Sequence, residues 1–320
     1  MTDLYATAGV DYDLLDPGKR EAIAAAIATS PLLAQHGGAS VDTSRGSSAY
    51  VFTLGDRTLA FVLECLGTKA MITRQVEEQL GESRWSDTAQ DTVAAIVGDL
   101  CSVGALPLVV SAYFATGGGS WYGVPGRHKA LVAGWRRACE IAGATWGGGE
   151  SPSLSGLVSD GEIDLAGSAV GYVPEGRRAI LGDDLAPGDE IVLLSSTGLH
   201  ANGASMARKV ARELPNGYAT RLPSGRMFGS ALLDASAIYV PFVAELVRTN
   251  VPVTYLRPHR PRPAKNHARQ AADDVPYHGA PIRAGGAHIL GRARRARPAG
   301  RVRYVQHGCR LCRLLPPRLR

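Results

Sequence analysis

The sequence predicts an α/β protein, with an N-terminal mixed sheet and its helices over residues 1–173 and a partial α+β domain over 174–256. Three observations carry this. Strand-like and helix-like periods alternate through the first 173 residues. Glycine-rich loops follow where strands end. The chain has 320 residues and 45% hydrophobic content, enough to fill one large or two medium cores. No apolar run approaches the ~20 residues of a membrane span. The N-terminus, MTDLYATAGVDYDLLD, is acidic and lacks a basic-then-apolar signal pattern, so a cytoplasmic protein is expected. Cys65, Cys101 and Cys139 are scattered singly, as reduced thiols are.

Asp13 to Ile27 reads as a helix: Asp16 can cap it, Pro17 suits a first turn, and an Ala/Ile run follows. Ala49–Phe52 and Thr58–Leu63 read as two strands joined by the hairpin turn Leu54–Arg57. The second runs into Glu64, Cys65, Leu66, Gly67, Thr68 and Lys69. A carboxylate, a hydroxyl and an ammonium at a strand end suit a metal-bound polyphosphate, and an ordinary strand-to-loop junction fits them as well. The G-x-x-x-x-G-K spacing of a Walker A loop is absent. Asp87 to Gly104 is a helix, with Val93, Ile96, Val97 and Leu100 on one face. Asp99 sits in its last full turn, where a carboxylate opposes the helix dipole; a bound cation or plain solvation accounts for it. Pro107–Ala115 is a buried strand, and His128–Ala142 an amphipathic helix.

The stretch Ala144–Gly171 organises the rest. It holds Gly147, Gly148 and Gly149, then Glu150, a Ser/Pro/Gly-rich loop, and the strand Ile163–Val173 with Asp164. A glycine-rich turn exposes backbone N–H groups to an anion, and an acid beside it can hold Mg²⁺ or an amine. The alternative is a surface loop between a helix and a strand. Further on, Asp189–Leu194 is a strand and Ser195–Ser205 a polar turn, containing Ser196, His200 and Asn202, that opens the helix Met206–Arg212. Such a turn is an anion site or a capping turn. Ser230–Arg248 reads as one helix kinked at Pro241.

These segments together resemble the aminoimidazole ribonucleotide synthetase family, phosphoribosylformylglycinamidine cyclo-ligase, over roughly Ala8–Tyr255. The anchors are AGVDYD (Ala8–Asp13), LGTK (Leu66–Lys69), DTVAAIVGDL (Asp91–Leu100), GALPLVVSAYFATG (Gly104–Gly117), GGE (Gly148–Glu150), GEIDLAGSAVG (Gly161–Gly171) and STGLHANGASMARK (Ser196–Lys209). The resemblance implies an N-terminal α/β domain whose sheet pairs across a homodimer, with ATP against that domain. It implies an enzyme that uses ATP and Mg²⁺ to phosphorylate a formyl amide oxygen, after which an amidine nitrogen closes an imidazole ring. By the same resemblance Lys69, Asp99 and His200 are the catalytic positions. Glu64, Gly67, Thr68, Lys69, Gly148, Gly149 and Glu150 hold the nucleotide, Ser196, His200 and Asn202 line the substrate cleft, and Glu64 and Asp99 bind metal. Glu64, Asp99 and Glu150 are expected to converge on one triphosphate. Related kinases and synthetases of the superfamily, acting on thiamine-phosphate, selenide or hydrogenase-maturation substrates, are the alternative, and an inactive remnant is a third.

Three departures stand out. Glu64-Cys65 replaces the family's Asp-Gly, Gly98 replaces an Asn before Asp99, and Arg45–Ser48 replaces a Gly/Phe-rich loop. After Leu256 the family pattern stops. Residues 257–320 hold 15 Arg, one Lys and two Asp, a charge of +14 within a total of +6, which leaves −8 for the first 256 residues. This basic tail shows no helix or strand period and is expected to be disordered. Arg257–Arg269 and Tyr304–Pro317 read as family segments translated one base out of register, so a frameshift near codon 256 is the expectation. A nucleic-acid-binding arm is disfavoured because only Tyr277 and Tyr304 offer stacking, and a zinc site because Cys309-x-x-Cys312 has no second pair.

Overall fold

The computed structural model describes residues 12–187, 189–258 and 302–306. In chain order the elements are α1 (Tyr12–Ala28), β1 (Gly38–Ser40), β2 (Tyr50–Leu54), β3 (Arg57–Cys65), α2 (Lys69–Leu80), α3 (Trp85–Ser102), β4 (Leu106–Thr116), α4 (Ser120–Gly123), α5 (Arg127–Ala142), β5 (Thr145–Glu150), β6 (Ile163–Val173), β7 (Glu190–Leu194), α6 (Ala204–Glu213), α7 (Phe228–Leu232), α8 (Val240–Arg248), β8 (Val253–Pro258) and β9 (Val302–Gln306). This is the mixed α/β class that the sequence predicts.

Six strands form one sheet in the order β1-β2-β3-β6-β4-β5. Its neighbours are antiparallel except β4 and β5, which run parallel. Period-2 alternation fixes its faces. Ala60 and Val62 on β3, Leu165 and Ala169 on β6, and Val110, Ala112 and Phe114 on β4 are buried together with Val93, Ile96, Val97 and Leu100 of α3 and Leu131 and Trp135 of α5. Each of the larger side chains, the Val, Leu, Ile and Phe among them, contributes about 1.5–3 kcal/mol by leaving water. The helices approach closely because β6 carries glycine where they cross it. A Cβ at Gly167 would lie 2.8 Å from Ile96 Cδ1, and one at Gly171 would lie 3.1 Å from Leu100 Cδ1. The opposite face keeps large apolar groups in solvent, with Leu63 72% and Phe61 45% exposed.

A second apolar cluster joins Ile72 and Val76 of α2 to Leu199, to Ala204, Ala207 and Val210 of α6, and to Phe228 and Leu232 of α7. Helix α2 was not foreseen in the sequence. It places Gly67–Lys69 at a helix start that packs against the 199–233 stretch.

Three expectations change. The glycine-rich turn at 147–149 is an edge strand, β5. The reason is close approach: a Cβ at Gly149 would sit 2.1 Å from the Ala112 carbonyl oxygen, so glycine lets β5 pair with β4. The single kinked helix 230–248 is two helices, α7 and α8, with Leu233–Tyr239 non-helical between them. Pro241 lies in the first turn of α8, where its missing N–H has no cost. Last, the tail has a strand within it. β9 is the middle of a parallel three-stranded sheet, β7-β9-β8. The rest of the tail, with Tyr277, the Cys309/Cys312 pair and most of the segments read as frameshifted, lies outside the described residues.

Candidate functional site

Two helix starts meet at the junction between the 66–69 segment and the 196–205 loop. Thr68 precedes α2 and Ser205 lies in the first turn of α6; their hydroxyl oxygens are 3.3 Å apart. Both helix N-termini therefore present partial positive charge to one place.

Immediately behind lies a charged pair with no solvent contact. Lys69 Nζ is 2.5 Å from Asp91 Oδ2, and both side chains are fully buried. Asp91 Oδ1 accepts the Ser236 N–H at 2.8 Å and the Ser236 hydroxyl at 2.5 Å. Burial pushes the Asp91 carboxyl up, while Lys69 and Ser236 pull the other way. Lys69, expected beside a polyphosphate, is thus directed at Asp91. The fold uses it to bind α2 to α3. Asp91 was not singled out in the sequence: it lies on the α3 face opposite the stripe of Val93, Ile96, Val97 and Leu100, where an acid reads as solvated, and only the fold buries that face as well.

His200 lies close enough to this pair to feel the Lys69 charge. Its backbone is left-handed, with φ 57. Its Nε2 is buried and has no hydrogen-bond partner among the described residues. Burial first, and the Lys69 charge second, push its pKa down to about 4, so the ring is neutral near pH 7. Ser196 is buried and Asn202 exposed on the same loop. The structure therefore brings Thr68, Lys69 and the His200 loop together, with Ser196 and Asn202 on that same loop.

The acids divide. Glu64 follows Ala60 and Val62 on the helix-covered side of β3, half-exposed, and one of its oxygens accepts the Cys65 N–H at 3.1 Å. Asp99 is buried on the last turn of α3, on that same side. Its charge and, more strongly, burial push the Cys101 thiol up to about 12. Glu150 does not join them. Sheet register aligns Glu64 with Gly167, Ala112 and Gly149, and aligns Glu150 with Tyr113, Ala166 and Cys65. The two glutamates are three strand spacings apart, about 14 Å, on opposite faces. The expected meeting of Glu64, Asp99 and Glu150 is not found. Among the described residues, no group of three or more His, Cys, Asp or Glu is placed to hold a metal ion. A cavity of about 350 Å³ lies elsewhere, between residues 176–184, α8 and β8, and includes none of these positions.

Comparison with known proteins defines the class first. Residues 46–173 match the family "AIR synthase related protein, N-terminal domain". Phosphoribosylformylglycinamidine cyclo-ligase of Methanothermobacter thermautotrophicus is 30% identical over 251 residues, covering 78% of this chain and 69% of that one. The same-named protein of Exiguobacterium sibiricum is 34% identical over 210 residues, covering 65% of this chain and 59% of that one. The chain belongs to the phosphoribosylformylglycinamidine cyclo-ligase family and spans 59% and 69% of the lengths of these two relatives. Among solved structures, the AaThiL complex with AMPPCP and TMP aligns at 16% identity over 63% of this chain and 57% of that one, with a TM-score of 0.44. Among the described residues, no helix is long and apolar enough to cross a membrane.

Proposed function

We propose that this protein is an ATP-dependent cyclo-ligase that converts formylglycinamidine ribonucleotide to aminoimidazole ribonucleotide in the cytoplasm. The observation that carries the reading is the junction where the starts of α2 and α6 face each other, beside a neutral His200. Oriented N–H groups favour phosphate oxygens there without a free cation. In this reading Gly67 and Thr68 lie by the nucleotide phosphates. Ser196, His200 and Asn202 face the ribonucleotide substrate. Lys69 acts from behind as a positioning residue. Gly148, Gly149 and Glu150, on an edge strand and the far face, fit a contact outside this junction better than one within it.

Mg²⁺ is commonly held by one or two carboxylates, with phosphate oxygens and water completing its shell. In this reading Glu64 and Asp99, two hard oxygen donors on the helix-covered side of the sheet, would be the carboxylates that hold the ion. The ion would neutralise charge on the transferring phosphoryl group. The formyl amide oxygen takes the γ-phosphoryl group and ADP leaves. The amidine nitrogen then attacks the activated carbon, and the C–O bond breaks to release phosphate. A His200 that is neutral can accept a proton from the attacking nitrogen. The exposed apolar face around Phe61 and Leu63 supports a homodimer.

The test is a substrate panel. Purified protein with ATP and Mg²⁺ is expected to consume ATP with formylglycinamidine ribonucleotide, forming ADP and free phosphate, and not to consume it with thiamine monophosphate or selenide. Preference for either of the latter would move the assignment to a related kinase or synthetase. Asp99→Asn is expected to abolish turnover, and unchanged turnover would remove Asp99 from the site.

A further inference from the structure

The segment Leu233–Ser236, between α7 and α8, is held from two sides. From α3 and the turn before it, Arg84 Nη2 donates to the Leu233 carbonyl at 3.0 Å, and Gln90 Nε2 donates to the Ser236 carbonyl at 2.9 Å. The Ser236 N–H and hydroxyl both donate to Asp91. From the His200 loop, Thr197 Oγ1 donates to the Ala235 carbonyl at 2.5 Å. Gly198, with φ +56, approaches so closely that a Cβ there would lie 2.4 Å from the Asp234 carbonyl oxygen. The Leu233 side chain is fully buried. Three of the four carbonyls in this segment accept a side-chain donor, and the fourth is packed against Gly198. A plain connector between helices runs over the surface and does not need such anchorage.

We infer that Leu233–Ser236 is a positioning strap, in which Asp91 and Ser236 hold the His200 loop against the start of α2. The chain of contacts is continuous. Lys69 at the first residue of α2 pairs with Asp91, Asp91 holds Ser236, and the strap holds Thr197 and Gly198, three and two residues before His200. A shift of the strap displaces His200 relative to Thr68 while leaving the β3–β6–β4 core in place. The inference rests on the cyclo-ligase reading only for the reaction that the loop serves.

The experiment compares wild type with Ser236→Ala, Ser236→Thr and Gly198→Ala by amide hydrogen exchange, followed at Ser196–Asn202 and, as an internal control, at α5. Losing the Ser236 hydroxyl bond is expected to speed exchange at Ser196–Asn202 about tenfold, as the loss of a hydrogen bond to a charged group implies, with α5 unchanged. Ser236→Thr keeps the hydroxyl and is expected to restore slow exchange. Gly198→Ala is expected to speed the loop at least as much. In turnover with formylglycinamidine ribonucleotide, Ser236→Ala is expected to lower kcat about tenfold with KM for ATP nearly unchanged. Exchange at Ser196–Asn202 equal to wild type in both Ser236→Ala and Gly198→Ala would overturn the strap. So would equal acceleration in α5, which marks general destabilisation. If wild type turns nothing over while the exchange pattern appears as expected, the strap stands and the cyclo-ligase reading falls.

Discussion

Asp91 and Glu150 are both acids within the segments that resemble the family, and the fold treats them oppositely. Asp91 is sealed in the interior with Lys69 and Ser236 as partners. Glu150 lies exposed at the end of an edge strand, and its carboxylate accepts the N–H of the next residue, Ser151. A buried charge must be paired at the moment of folding and so specifies how helices meet. An exposed one is nearly neutral to stability and remains available to a ligand. The difference separates residues that build the junction from residues that can meet a nucleotide.

The largest expected effect comes from breaking the sealed pair. Lys69→Met leaves Asp91 buried without its counter-charge, with only the Ser236 bonds remaining, at a cost of about 3–5 kcal/mol, read by denaturant unfolding. Adding Asp91→Leu to it should recover most of that loss. If Lys69→Met costs less than about 1 kcal/mol, the pair is not what joins α2 to α3.

Next is pH. His200 has a folded pKa of about 4 against an unfolded value near 6.5. Because the unfolded chain binds the proton more readily, stability contributed by this site is complete above about pH 6.5. It falls as pH drops toward 4, by up to about 3 kcal/mol. His200→Gln should flatten that slope between pH 4 and 6.5. An equally steep slope in the variant would assign the dependence to other groups.

Gly149→Ala places a methyl against the Ala112 carbonyl; overpacking of this kind costs about 1–3 kcal/mol and should loosen β5 at the sheet edge. A wild-type melting temperature would show that β5 need not pair so closely. The smallest effects belong to exposed positions. Leu63→Glu should change monomer stability by less than about 0.5 kcal/mol and, as the proposed homodimer requires, shift sedimentation toward monomer.

Much of the sheet and its helices was legible in the sequence because their apolar periods are strong: β6 begins and ends where its pattern does, and α3 and α5 follow their stripes. β5 was not legible, since Gly147–Gly149 carry no side chains from which a period could be read. The break between α7 and α8 was hidden because Leu233–Ser236 is locally compatible with a helix and is drawn out of it by tertiary bonds to Arg84, Gln90 and Asp91. β9 lies in an arginine-rich stretch where charge masks the short alternation Val302, Tyr304. At the junction, Thr68, Lys69 and His200 were found as chemical types, but Asp91 and Ser236 were not, because only the fold shows that they share an interior with Lys69.

The central claim, that an amide oxygen is phosphorylated at this junction, is tested most directly by isotope transfer. Formylglycinamidine ribonucleotide carrying ¹⁸O in its formyl group is incubated with the protein, ATP and Mg²⁺, and the released phosphate is analysed by mass. The account predicts one ¹⁸O per phosphate formed, in step with aminoimidazole ribonucleotide. Phosphate released without the label, or label lost to water while ATP is consumed, would contradict it.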